Sequence, residues 1–233
     1  MKQILPLLLA IALFSCKKDT PLDDKIADFT WCNDTIFAAG NSLTADLGAE
    51  WYTDYPSYLA QMLGRDPGTI INSGVSGDIS TSIADRYLNR TVGLHAALLG
   101  ELGSNNNWSA ATVKADIKRI IGNSKKYFIL DIATGNLPDR WPGHESGYYD
   151  HNEKLNDEIE AMVGPDHFIR IKDYLQLHMD GSHQDSVDVF INDCEPSSLH
   201  ADFIHRNSKG NYWMARAIAE RLVPCKNDAA KLN

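Results

Sequence analysis

A serine hydroxyl becomes a nucleophile only when a base stands in hydrogen-bond contact with it and a further group orients that base. In the stretch FAAGNSLTADLGAE, residues 37–50, an apolar run ends at Gly40, and Asn41, Ser42, Leu43 and Thr44 follow. Ser42 is then either an ordinary turn serine or a hydroxyl displayed at the end of a strand. The segment HADFIHRNSKG supplies a matching base, with Asp202 and His205 three positions apart. In a turn or short helical stretch that spacing sets both side chains on one side. Asp202 would accept a bond from one imidazole nitrogen and leave the other to face a serine, an arrangement suited to acyl transfer. Taken alone, D-x-x-H reads as a surface histidine at the start of a helix with an aspartate cap. Ser208 is placed to cap the helix that follows.

These residues must be held by the elements around them. TIFAAG, GTIINSGVSG, KKYFILDIATGN and DHFIRIKDYL read as apolar strands. YPSYLAQMLG, HNEKLNDEIEAMVG and SKGNYWMARAIAERLV read as helices, and STSIADRYLNRTVGLHAALLGEL as helical in parts. ATVKADIKRIIGN has Val113, Ile117, Ile120 and Ile121 at helical spacing. Strands separated by helices predict parallel pairing through right-handed crossovers, hence an α/β fold with a sheet covered on both faces. Functional groups in such folds collect at the carboxyl ends of the strands. Ser42, Gly77 and Asn136 all fall just past such ends. LPDRWPGHESGYYD and HMDGSHQDSVDVFINDCEPSSLHA are polar and read as long loops, either shaping a pocket or lying on the surface.

The 233 residues fit one domain, and 43% hydrophobic residues suffice for a core. A net charge of −9 argues against nucleic acid as a partner. Residues 1–15 have a basic start and the apolar run ILPLLLAIALF, too short to span a membrane but suited to an export signal. The run ends in LFSC, which resembles the lipobox of bacterial lipoproteins. That resemblance implies cleavage before Cys16, lipid on Cys16, a polar tether over residues 16–30 and a domain over 31–227. It also implies a bacterial cell-envelope address, with the membrane as anchorage. An ordinary secretory signal containing a cysteine is the alternative. Cys32, Cys194 and Cys225 remain; export permits a disulfide, and sequence does not select the pair. None stands at metal-ligand spacing.

Four short blocks, in order, resemble the SGNH or GDSL-type serine hydrolases. They are GNSLT at 40–44, NSGVSGD at 72–78, ILDIATGN at 129–136 and DFIHRNSKGNYWMA at 202–215. The helix-like YPSYLAQMLG is similar to the one that follows the first block, so the resemblance spans roughly residues 34–223. It implies a three-layer α/β/α, flavodoxin-like fold and a catalytic triad of Ser42 as nucleophile, His205 as base and Asp202 as orienter. It implies an oxyanion hole from the backbone N–H of Ser42, the N–H of Gly77 and the Asn136 side-chain amide, and no cofactor or metal. The chain departs from the pattern at four places. Asn41 stands where aspartate is usual, Thr134 and Leu137 replace the glycine and last aspartate of the third block, and Arg206 stands where proline is common.

The expected activity is hydrolysis of a short acyl ester, acetyl above all, from a carbohydrate or other small polar ester. Polar and aromatic loops favour such a substrate over a triglyceride. Trp141, Tyr148 and Tyr149 could stack on a sugar or pack as a satellite core, and Trp51, Tyr52 and Tyr55 could wall the site. His144, His151, His178, His183 and His200 lie in or beside the polar loops and read as solvated. Thr44, Asn72 and Asp78 are candidate supports of the site loops. The altered third block keeps open a glycan-binding envelope lipoprotein with little turnover. The lipid tether keeps open a lipase or lysophospholipase.

Overall fold

The computed structural model describes residues 34–222, apart from 46, 49, 51–52, 67–68, 92–96, 125 and 136–146. The leader, the tether, Cys16, Cys32, Cys225, Trp51, Tyr52, Asn136, Leu137, Trp141 and His144 lie outside the described residues. Among the described residues, five strands form the sheet: β1 (Ile36–Gly40), β2 (Ile70–Gly74), β3 (Ala97–Gly100), β4 (Tyr127–Leu130) and β5 (Phe168–Ile169). Their order is β2-β1-β3-β4-β5, and every pairing is parallel. Helices α1 (Tyr55–Met62), α2 (Ser80–Thr91), α3 (Ala110–Ile121), α4 (Tyr148–Val163), α5 (Ile171–Gln176), α6 (His183–Phe190) and α7 (Ser208–Arg221) complete the described chain.

The alternation of a strand assigns its side chains to two different cores. Ile36 and Ala38 of β1 pack with Tyr55 and Leu59 of α1, Leu175 of α5 and Met214 and Ile218 of α7. Phe37 and Ala39 face the other way, onto Ile83 and Tyr87 of α2, Ile117 of α3 and Ile159 of α4. All five residues of β1 are buried, which a central parallel strand requires. The α/β/α layering expected from the sequence is therefore present.

The structure differs from the sequence reading at four places. The stretch read as helical in parts holds α2 at Ser80–Thr91, and it also contains a strand the sequence reading did not anticipate, β3 at Ala97–Gly100, between β1 and β4. The fourth expected strand is only Phe168–Ile169; Ile171–Gln176 turns into α5, whose Ile171 and Leu175 are buried at helical spacing. The second polar loop contains α6, started by Ser182, whose hydroxyl accepts the Asp185 backbone N–H at 3.1 Å. Asp185 and Asp188 on α6 are buried and accept bonds from Ser198 and Ser197 respectively, so this polar segment anchors itself. The helix after His205 is capped by Asn207, whose side chain accepts the Gly210 N–H at 3.0 Å. Ser208 instead lies 2.8 Å from the Thr53 hydroxyl.

Candidate active site

β1 and β2 both end in glycine because the turn that follows β1 crosses closely over them. A Cβ on Gly40 would stand 2.0 Å from Thr44 Oγ1, and one on Gly74 would stand 2.2 Å from the Ala45 backbone nitrogen. Asn41 Oδ1 accepts the Leu43 N–H at 3.0 Å, an Asx turn that needs an amide or carboxylate oxygen but no charge. Backbone bonds from Ala45 to Asn41 O (2.9 Å) and from Leu47 to Ser42 O (3.2 Å) complete one helical turn. The turn leaves Ser42 half-exposed between buried Asn41 and Leu43. Thr44 and Asn72 support it from below: Thr44 Oγ1 donates to Glu101 Oε2 at 2.9 Å, and Asn72 Nδ2 donates to Thr44 O at 2.7 Å.

His205 reaches this turn from the far end of the chain. Its Nε2 lies 3.0 Å from Ser42 Oγ, and its Nδ1 lies 2.8 Å from Asp202 Oδ2. Asp202 Oδ1 accepts the backbone N–H of His205 at 2.7 Å and that of Ile204 at 2.9 Å. Partial burial raises the Asp202 carboxyl, but the His205 N–H, the imidazole and the Ile204 N–H outweigh it and hold it below the ordinary value. The three-residue spacing thus does what the sequence suggests, closing a loop around one carboxylate. Its imidazole is largely covered while the Asp202 side chain is 45% exposed.

Gly77 occupies the third position of a turn closed by Asp78 N–H to Val75 O at 3.2 Å, with φ of 82°. That conformation favours glycine. No atom lies within 4 Å of where its Cβ would be, so the turn is open on that side. Arg86 fastens it to the sheet: the guanidinium pairs with Asp78 and donates to Gly40 O at 2.9 Å and Ser73 O at 3.1 Å. The described part of the third block ends at Gly135, where a Cβ would meet Phe203 O at 2.5 Å. That contact sets the residue before Asn136 against the loop carrying Asp202 and His205.

A buried polar cluster underlies this loop, and sequence reasoning missed it. Arg206 donates from Nε to Glu195 Oε2 at 3.0 Å and from Nη2 to Glu195 Oε1 at 2.8 Å. His200 Nε2 also lies 2.9 Å from Glu195 Oε2. His200 and Arg206 pair as an antiparallel bridge, so one carboxylate grips both ends of the 200–206 loop. Burial alone would raise the Glu195 carboxyl, but Arg206 and His200 outweigh it and hold it below the ordinary range. Burial pushes Glu101 up to about 7 against the opposing pull of Arg206 and Thr44. Burial likewise pushes Asp131 up to about 7, opposed by the Lys172 N–H and Arg206.

Several loop residues take roles other than those expected. His200 is buried and partnered. His178 packs between Tyr174 and Trp213, with ring centroids at 4.6 and 3.7 Å. His151 lies on α4 with its ring against Trp108, whereas His183, at the start of α6, is exposed as the sequence suggests. Tyr148 and Tyr149 form the first turn of α4, and Tyr149 lies in the Lys172–Asp193 network. Tyr55 is a core residue, fully buried beneath Thr44, and does not wall the site. Cys194 is free and buried, its thiol pushed up to about 12 by burial. Among the described residues, no group of three or more His, Cys, Asp and Glu could hold a metal ion.

A parallel five-stranded sheet with a serine at the end of β1 and a D-x-x-H loop folded back onto it defines a fold also seen in G-D-S-L-type hydrolases. A Desulfitobacterium hafniense protein described as a candidate lipolytic member of the G-D-S-L family superposes with a TM-score of 0.61 at 12% identity, covering 82% of this chain and 100% of that one. A Bacteroides fragilis protein described as a candidate acylhydrolase gives 0.61 at 15% identity, covering 80% and 85%. A catalytic mutant of an acetylxylan esterase from Geobacillus stearothermophilus gives 0.56 at 13% identity, covering 82% and 94%. No family model matches the sequence, and no curated protein matches it significantly.

Proposed function

We propose that this chain is a serine esterase that removes short acyl groups, acetyl above all, from a carbohydrate or other small polar ester. The observation that carries the reading is the continuous hydrogen-bond line Ser42 Oγ–His205 Nε2, His205 Nδ1–Asp202 Oδ2, on the carboxyl rim of a parallel sheet. In this reading the Ser42 hydroxyl gives its proton to Nε2 as its oxygen attacks the ester carbonyl. Asp202 holds the Nδ1–H tautomer and stabilises the imidazolium that forms. The N–H groups of Ser42 and Gly77 and the Asn136 amide receive the developing oxyanion, each donor worth roughly 3 kcal/mol. His205 then protonates the leaving alcohol. It next draws a proton from water, whose oxygen attacks the acyl-Ser42 carbonyl; the C–Oγ bond breaks, His205 returns that proton to Ser42 Oγ, and the acid leaves. The route requires no metal. The acetylxylan esterase among the structural neighbours supports the reaction class and a short-acyl, sugar-borne ester.

Lipid on Cys16, with residues 16–30 as tether, would fix the domain to a bacterial envelope; the basic start, apolar run and LFSC support this. A Cys16→Ser chain should then leave the membrane fraction. The test of the activity is turnover of p-nitrophenyl acetate, butyrate and octanoate by the chain lacking residues 1–26, beside Ser42→Ala and His205→Ala. Turnover strongest on acetate and abolished by both substitutions is the expected result. Turnover equal in all three proteins would refute the assignment. Rates rising with chain length would favour a lipase. Thr134 and Leu137 in the third block favour a second reading, a glycan-binding lipoprotein with little turnover. It predicts sugar binding that Ser42→Ala leaves intact and no activity to lose.

A further inference from the structure

The loop after β3 is built around a conspicuously placed tryptophan. Asn107 and Trp108 both have left-handed backbone, with φ of 44° and 68°. Two successive non-glycine residues there are uncommon, and for a bulky side chain the conformation is an outlier that surrounding structure must enforce. The enforcing contacts are visible. Asn105 Nδ2 donates to Asp78 O at 3.1 Å. Asn106 accepts the Ser80 N–H at 2.8 Å and donates to the Ser80 hydroxyl at 2.7 Å. The loop is thereby fastened to the turn that carries Gly77. It also leaves the rim beside Ser42, because β3 pairs directly with β1 and Glu101, its first residue, binds Thr44.

The result is a Trp108 side chain that stays 39% exposed while its ring is braced edge-on by Tyr148, at 6.1 Å, and His151, at 4.7 Å. Beneath it lies a small pocket of about 30 Å³ lined by Gly103, Ser104, Trp108, Tyr148, His151 and Asn152. The Ser104 hydroxyl is buried there without a hydrogen-bond partner among the described residues. Asn107 is exposed beside the indole.

We propose that Trp108 is the platform of a sugar subsite that receives the neutral pyranose ring bearing the ester. The proposal rests on the esterase reading above and names its alcohol half. A pyranose has an apolar C–H face that stacks on an indole and hydroxyls at its edge that need amide and hydroxyl partners. Trp108 offers the first, and exposed Asn107 with half-buried His151 beside the indole the second. A chain of net charge −9 favours a neutral sugar over an anionic one.

The test uses Trp108→Gly, which removes the ring and suits the left-handed backbone, together with Trp108→Tyr, which keeps a ring. The measured quantity is kcat/KM for acetylated xylotriose divided by that for p-nitrophenyl acetate. Trp108→Gly should lower this ratio at least tenfold, mainly through KM, and Trp108→Tyr should restore most of it. An unchanged ratio overturns the proposal. A separate titration of Ser42→Ala with unacetylated xylotriose, cellotriose and chitotriose, by calorimetry, distinguishes the two levels of inference. Binding lost in Ser42→Ala/Trp108→Gly supports the subsite even if the wild type hydrolyses nothing. Absence of binding to all three sugars overturns the subsite and leaves the esterase reading standing.

Discussion

Replacing Arg206 by methionine tests the buried cluster under the D-x-x-H loop. The guanidinium is almost wholly enclosed, and Glu195 is completely so. Methionine keeps much of the stem's volume but removes the two donors at 3.0 and 2.8 Å. Glu195 is then left as a buried carboxylate with His200 as its remaining side-chain partner. Removing one partner of a buried pair costs about 3–5 kcal/mol. That is a large share of the roughly 5–15 kcal/mol that holds a domain together. At about 2–4 °C per kcal/mol for this size, the melting temperature should fall by roughly 6–20 °C. Urea denaturation gives the same quantity as a free energy. The double variant Arg206→Met/Glu195→Gln removes the orphaned charge and should recover about 2 kcal/mol or more of the loss. The loop should also loosen, because the lost contact anchors the residue next to His205. Measured well below melting, kcat on p-nitrophenyl acetate should fall roughly tenfold or more, since even 1 Å of misplacement is costly. A single variant that loses less than about 1 kcal/mol, or a double no more stable than the single, would refute the reasoning.

Glu101 predicts a pH dependence of stability. Its folded carboxyl, pushed up to about 7, binds its proton more tightly than the unfolded one at 4.5. Its contribution is therefore fully present below pH 4.5 and lost as pH rises through about 7. At about 1.4 kcal/mol per pH unit the gap is worth about 3 kcal/mol. Glu101→Gln, which can still accept from Thr44, should flatten that slope in denaturation curves taken from pH 4.5 to 8, and parallel curves would count against it. Asp202→Asn removes the acceptor for Nδ1–H and should lower kcat by about 100-fold or more with little change in stability; a loss under threefold would count against the orienting role. Gly74→Ala drives a methyl into the Ala45 backbone, where no side chain can yield. It should cost about 1–3 kcal/mol and much of the activity together, and a variant normal in both would show that the turn yields easily.

The layered fold was legible wherever a segment's own pattern matched its place. β1, β2 and β4 are apolar runs ending near glycine or polar loops, and α3 carries its stripe at helical spacing. β3 was hidden because Ala-Leu-Leu-Gly sits among good helix formers, and only the sheet's need for a strand between β1 and β4 decides it. α6 was hidden because its buried face presents Asp185 and Asp188, which a hydrophobic pattern scores as solvent-facing. The meeting of Ser42, Asp202 and His205 could be anticipated because glycine, turn residues and a three-residue spacing are local signals. Glu195 and Arg206 are eleven positions apart and meet only through the fold, so no spacing rule announces them. Trp108 stood in NNNWS, a string that reads as a loop; the left-handed φ values that make it notable are invisible in residue types alone.

Arg206 links these levels. Where the family resemblance leads one to expect proline, the backbone beside the histidine would be stiffened by a ring that limits φ. Here the same position is held by charge instead. The arginine turns inward to a carboxylate, and that carboxylate also binds the histidine at the other end of the loop. The loop is thus closed twice: below by Glu195 through His200 and Arg206, and above by Asp202 through two backbone N–H groups and the imidazole. The upper closure explains how Asp202 remains a competent anion while 45% exposed, because three donors rather than a dry pocket hold its charge. The lower closure explains why the departure from proline need not release His205. Each closure uses a different carboxylate, so their losses should separate, with Asp202 felt in kcat and Glu195 felt first in stability.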